Sequence, residues 1–212
     1  RRVLFRSAGV APAGALLTSP VKMFTRAFDI NAAANVVLAQ AFLPAMISNN
    51  HGHFMTVASS ASYFSLPNLC AYSMSKTAAL AFLESLRAEL RAVYKACRVR
   101  TSVVTPTKVR TVLAEGLNEG DDDFLMPVLE PIQVARAMAD TLNSGLSRNI
   151  SLPLGSALLP YLRALPEWYR GALRAMGNTD ALVTPESISR GQQALRGHQS
   201  NLDHMKKLGV HS

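Results

Sequence analysis

Cysteine is scarce in this chain of 212 residues, and Cys70 and Cys97 stand at no metal-ligand spacing. A cysteine-built metal module is thereby excluded, and both positions read as buried free thiols in a reducing compartment. No run of about 18 apolar residues stands out, so no bilayer span is expected. A charged segment followed by a short apolar one is also missing at the start, so no secretory signal is visible. The basic residues lack clustering. The formal charge is +8, but Arg1, Arg2 and Arg6 supply part of it, and the rest are scattered without a basic stripe or interleaved aromatics. Nucleic acid is therefore not an expected partner. What is present is an apolar chain, 49% hydrophobic and 17% charged, which suits one globular domain with a substantial core.

The first seven residues, Arg1–Ser7 (RRVLFRS), carry no capping signal and no periodicity. They resemble the translation of a sequencing adapter, and we set them aside from fold reasoning. The expected organisation is residues 1–7 as an artefact, 8–180 as a partial α/β domain, and 181–212 as a poorly ordered polar tail.

Ser19-Pro20 opens a helical pattern, with the hydroxyl as the expected N-cap. Phe24, Phe28, Ala32, Val36, Ala39, Leu43 and Ile47 then follow at helical spacing, to an end near Asn49-Asn50. Phe54–Ala58 is short and apolar, the length of a buried strand. A serine-rich loop leads to a long helix from about Ala71 to Tyr94, with Ala79, Phe82, Leu83, Leu86, Leu90 and Val93 as its stripe. Its segment Thr77–Leu83 is apolar nearly all round, which suits packing on a partner subunit as well as on its own sheet. Val99–Val104 reads as a second strand ended by Pro106, Arg110–Leu117 and Pro131–Leu142 as helices, and Arg148–Leu152 as a third strand. Strands alternating with helices imply a doubly wound parallel sheet. Three strands leave its edges uncovered, which points to an absent N-terminal portion.

The chemistry concentrates in Ser59-Ser60-Ala61-Ser62 and Ala71-Tyr72-Ser73-Met74-Ser75-Lys76. Tyr72 and Lys76, four apart, stack on one helix face. An ammonium beside a phenol lowers the phenol pKa from about 10 and makes it a usable acid/base. Ser59, at the end of the apolar strand, can hydrogen-bond a carbonyl or alcohol oxygen. Asn31 can complete a relay in which neighbouring backbone holds a water against Lys76. Taken singly, each signal is ordinary: a Tyr-x-x-x-Lys is usually a packed ring beside a solvated amine, and a serine run is usually a loop.

Order and spacing carry more than the single motifs. From Ala8 to Leu152 the chain resembles the short-chain dehydrogenase/reductase family. Ala8-Gly9 matches the end of its Asn-Asn-Ala-Gly turn, and Asp29-Ile30-Asn31 its asparagine segment. Ser59 lies thirteen residues before Tyr72, which with Lys76 matches the active-site helix. Pro106, Val109 and Thr111 resemble the loop beside nicotinamide. The resemblance implies an α/β, Rossmann-like doubly wound parallel sheet, here its C-terminal portion of about three strands plus flanking helices. It implies Tyr72 as general acid/base, Lys76 lowering its pKa and holding the ribose, Ser59 orienting the substrate oxygen, and Asn31 supporting proton relay. Ser60 is the rival for the serine role. Ala8, Gly9, Asn31, Tyr72, Lys76, Pro106, Val109 and Thr111 would contact the cofactor, NAD or NADP.

Val57–Ala61, Leu66-Pro67 and the apolar stretch Leu158–Trp168 resemble retinol and hydroxysteroid dehydrogenases, implying a lipophilic alcohol or carbonyl substrate. The resemblance further implies a homodimer through the Tyr72–Tyr94 helix and an intracellular place, cytoplasmic or peripheral on endoplasmic reticulum or lipid-droplet membrane. Two departures stand out. Pro106-Thr107 replaces the family's Pro-Gly, and the glycine-rich Thr-Gly-x-x-x-Gly-x-Gly turn that binds pyrophosphate is absent from the 212 residues. These residues alone are therefore expected to turn over little. Asp121–Asp123 has no metal-ligand company and reads as a solvated loop where the family has a substrate lid. Ser156–Met176 reads as helical with a break at Pro166, either a pocket wall or an interfacial helix on a membrane. His198, His204 and His211 receive no role. The competing readings are a non-catalytic Rossmann-fold scaffold and a membrane-surface interaction protein.

Overall fold

The computed structural model describes residues 3–111, 114, 127–176, 183 and 188–189. Four parallel strands form one sheet in chain order: β1 (Val3–Arg6), β2 (Gly52–Val57), β3 (Val99–Pro106) and β4 (Asn149–Leu152). The sheet thus has one strand more than expected. The extra strand is the segment set aside at the start: Val3–Arg6 pairs with His53–Thr56 along the edge. A short edge strand needs only one partner and no hydrophobic alternation, so periodicity gave no signal for it.

The alternation of β2 and β3 builds two cores. Phe54 and Val103 face one side, where they meet Leu43 and Met46 of α2 (Ala34–Ser48) and Leu80, Leu83, Leu86 and Leu90 of α3 (Cys70–Ala92). Met55 and Val104 face the other side, where Val134, Met138 and Leu142 of α4 (Pro131–Ser144) cover them. Phe54 is fully buried with its ring tilted on Phe82 at 6.1 Å between centroids. Helix α4 starts as its sequence dictates, with a reciprocal capping box between Glu130 and Gln133 and Pro131 in the first turn.

The first helical stretch departs from expectation in two ways. Its N-cap is Pro20, with no side-chain cap bond, so Ser19 does not cap it. The stretch is also not one regular helix: α1 (Val21–Phe28) passes through a π-turn at Asp29–Ala33 before α2 continues. Counted together, Val21–Ser48 is long and apolar enough to cross a bilayer by length and composition alone, contrary to the sequence reading. That measure is weak evidence here, because the stretch packs on the sheet and α3 and carries the buried amides Asn31 and Asn35 at its middle.

Cys70 is half-buried and Cys97 exposed, which corrects the expectation of two buried thiols. After β4 the chain runs through a 3-10 turn (Leu154–Leu158), α5 (Leu159–Leu162) and α6 (Glu167–Met176), broken at Pro166 as expected. Val93, expected in the α3 stripe, lies beyond the helix end and is exposed. Of the expected helix Arg110–Leu117, only Arg110, Thr111 and Ala114 are described. Asp121–Asp123, His198, His204, His211 and most of the tail lie outside the described residues.

Candidate active site

Polar side chains gather at the C-terminal ends of the strands, where an open parallel sheet places its ligands. Asn31 reaches this end because the π-turn Asp29–Ala33 interrupts the helix there, and such turns often mark functional positions. Its side chain is buried and fully occupied. Oδ1 accepts the Val10 N–H at 2.9 Å, while Nδ2 donates to the Val10 carbonyl and the Ser75 hydroxyl, both at 2.8 Å. Ser75 in turn donates to the Tyr72 carbonyl at 2.8 Å. Asn31 therefore clamps the turn after β1 onto the second turn of α3.

Gly9 sits in that turn. A Cβ there would lie 3.1 Å from Asn31 Oδ1 and 3.4 Å from Lys76 Nζ, so the missing side chain is what lets backbone approach the lysine this closely. Ala8, beside it, is exposed.

Ser59 follows β2 in extended conformation and caps the 3-10 turn Ser60–Ser62, its Oγ accepting the Ala61 N–H at 3.2 Å. Tyr72 stands opposite, partly buried against Leu66, Leu69 and Ala13. Burial pushes its phenol above the usual value, and a hydrogen bond with the Ser59 side chain works against that rise.

Lys76 is 3% exposed. Its Nζ donates to the Val57 carbonyl at 3.0 Å and lies 5.8 Å from the centre of the Tyr72 ring. Burial, with the Arg6 charge second, pushes the ammonium down to about 8. The sequence reading expected Lys76 to pull the phenol down; in this arrangement burial prevails and the phenol goes up. The lysine itself is the group brought near neutrality.

Arg6 is the residue that sequence reasoning missed, because it lay in the excluded segment. Its guanidinium is buried and donates to the Ile30 carbonyl, one residue from Asn31. The expected relay left this stretch of backbone free for a water. Here Arg6 takes the Ile30 carbonyl and Asn35 Nδ2 takes that of Asn31 at 2.9 Å. Asn35 also accepts the Thr56 hydroxyl at 2.9 Å, tying the π-turn to β2. Ser75 could have been noticed three residues after Tyr72; nothing in the local pattern marks Asn35 or Thr56.

The loop after β3 is assembled less tightly. Pro106 ends the strand, buried; Val109 bridges to Leu129; and Thr111 is exposed, its hydroxyl turned onto the Val109 carbonyl at 3.3 Å. Among the described residues Thr107 Oγ1, buried, has no hydrogen-bond partner. A buried hydroxyl left unpaired is costly unless something else supplies its partner. Among the described residues no group of three histidines, cysteines or carboxylates is placed to hold a metal.

Residues 2–122 match the family model described as short chain dehydrogenase. Estradiol 17-beta-dehydrogenase 11 of Homo sapiens is 36% identical over 174 residues, which cover 81% of this chain and 56% of that protein. Epidermal retinol dehydrogenase 2 of Mus musculus is 35% identical over 140 residues, covering 66% of this chain and 45% of that one. The chain thus spans about half the length of the curated relatives it matches. A solved short chain dehydrogenase from Burkholderia cenocepacia, in complex with NADP, superposes with a TM-score of 0.64 at 23% identity, over 86% of this chain and 71% of that one. That likeness is one of fold.

Proposed function

The chain belongs to the short-chain dehydrogenase family, and we propose that it carries the catalytic part of an NAD(P)-dependent oxidoreductase interconverting a lipophilic alcohol and its carbonyl. The observation that carries this reading is the convergence of Ser59, Tyr72 and Lys76 at the C-terminal end of β2, with Asn31 locking the turn beside them.

The residues present fit the nicotinamide-ribose end of a dinucleotide. Gly9 opens the approach to Lys76, whose Nζ has spent one of its donors on Val57, and the unpartnered Thr107 hydroxyl lies just past β3. When bound, the nicotinamide supplies or accepts the hydride. The chain does the rest. Ser59 Oγ orients the substrate oxygen, and Tyr72 Oη gives that oxygen a proton in reduction or takes one in oxidation. Lys76 Nζ, held by Val57, binds ribose hydroxyls and in its charged form favours the phenolate as the proton leaves. Asn31 acts as a positioning residue through Val10 and Ser75.

The apolar neighbours of Tyr72, namely Leu66, Leu69, Ala13 and Val183, favour a lipophilic substrate, and the names of the relatives, a retinol and an estradiol dehydrogenase, point the same way. We also propose that the 212 residues alone turn over little, since they contain no glycine-rich pyrophosphate turn, and that the protein pairs with a second copy through α3. We further propose an intracellular place, cytoplasmic or peripheral on a membrane, as the resemblance to retinol and hydroxysteroid dehydrogenases implies. The test is a chimera joining the N-terminal residues of a relative to this chain, assayed with NAD and NADP on a series of alcohols. Rates should rise with alkyl or ring size; equal rates on ethanol and on a sterol or retinoid would overturn the lipophilic reading.

A further inference from the structure

The opposite end of the sheet holds a second gathering of cations. The last turns of α3 and the first residues of β3 frame a groove of about 290 Å³, lined by Arg87, Arg91 and Arg100 together with Ser147, Leu90 and Ala96. Two of the three guanidiniums are fixed by neutral oxygens. Arg87 donates through Nε to Thr101 Oγ1 (2.9 Å) and through Nη2 to the Thr101 carbonyl (3.2 Å) and Asn149 Oδ1 (3.0 Å). Arg100 donates through Nε to the Gly145 carbonyl (3.1 Å) and through Nη1 to the Cys97 carbonyl (3.0 Å).

These bonds hold the guanidinium planes in place without neutralising them. Arg87 Nη1 and Arg100 Nη2 keep their donors, and Arg91 uses none of its own on any described residue. Among the described residues no carboxylate pairs with any of the three; the ion pairs are Arg110–Glu130, Arg170–Glu167 and Arg174–Glu167. A helix C-terminus attracts cations, which accounts for Arg91. It does not account for Arg100, on a strand, lining the same groove. Nearby His53, hydrogen-bonded to Ser102 at 2.9 Å, is kept below its usual pKa by burial and then by the Arg100 charge.

We propose that this groove binds a phosphate monoester group. Fixed guanidinium forks match phosphate oxygens in geometry, and three like charges suit a dianion better than a single carboxylate. The carbon part of the ligand would lie on Leu90 and Ala96. The site is remote from the catalytic end and makes no use of the dinucleotide reading.

The test uses the whole chain, titrated with inorganic phosphate and with chloride at matched ionic strength, following melting temperature and the His53 ring signals by NMR. Phosphate should raise the melting temperature saturably and move the His53 pKa upward, whereas chloride should do neither. Arg91→Ala breaks no bond among the described residues and should weaken phosphate by about fivefold. Arg100→Gln should weaken it by about tenfold or more. Sedimentation with phosphatidylcholine vesicles, with and without phosphatidylinositol 4-phosphate, then separates the sources. Retention that needs the phosphoinositide and is lost in Arg91→Ala identifies a lipid headgroup, while phosphate binding without retention identifies a soluble ligand. No saturable response, or an equal response in wild type and both variants, overturns the site.

Discussion

At the C-terminal end of the strands Lys76 is buried with a single carbonyl on its ammonium, and Arg6 stands close enough to push its pKa down further. At the N-terminal end Arg87 is half-buried and meets three neutral acceptors across Thr101 and Asn149. Among the described residues neither Lys76 nor Arg87 forms an ion pair with a carboxylate, yet the physics differs. The arginine serves the fold, tying α3 to β3 and β4, and its charge remains solvated. The lysine costs the fold: it is desolvated, short of partners and beside a like charge. Groups held in that condition are typical of sites arranged for chemistry. The buried lysine at one end is therefore held at a cost to the fold, whereas the arginines at the other are held by bonds that also tie the fold together.

The sharpest way to break this contrast is to remove the clamp at the catalytic end. Asn31→Ala loses three hydrogen bonds and leaves the Val10 N–H, the Val10 carbonyl and the Ser75 hydroxyl searching for partners. A loss of about 3 kcal/mol in urea unfolding is expected; a loss under about 1 kcal/mol would mean the clamp is not structural.

Lys76→Met should act in the opposite direction. The folded chain releases the Lys76 proton near 8, the unfolded chain near 10.5. Folding therefore carries the full penalty of the buried charge below pH 8, and the penalty fades as pH rises from about 8 to about 10.5. The variant should be more stable than wild type at pH 7, by up to about 3 kcal/mol less the lost bond to Val57. Near pH 10.5 that gain should vanish. Melting temperatures across pH 6 to about 11 decide it, and a variant less stable at pH 7 would show the ammonium is well solvated after all. The smallest effect belongs to the other end: Arg87→Gln should cost about 1–2 kcal/mol in the same unfolding assay, independent of pH between 6 and about 9.

How legible all this was in the sequence varied with the kind of signal. Helix α3, strands β2 and β3 and helix α4 follow from periodicity, because each buries a continuous stripe or a whole run against the sheet. Tyr72, Lys76 and Ser59 could be selected because their spacing within the helix and before it is fixed by local geometry. Edge strand β1 was lost with the excluded segment, and with it Arg6. The π-turn was invisible, since an apolar stretch reads alike with or without one extra residue in a turn. The pKa order also could not be read: a four-residue spacing places an ammonium over a phenol but does not say how much water either retains.

The most direct test of the catalytic reading is hydride transfer measured with a deuterated alcohol in the chimera that supplies a nucleotide-binding half. The wild-type Tyr72 protein should pass deuterium to the nicotinamide. Tyr72→Phe should bind the dinucleotide as well and slow transfer by about 10²–10⁴-fold. Transfer at the wild-type rate in Tyr72→Phe would contradict the assignment of the proton to that phenol.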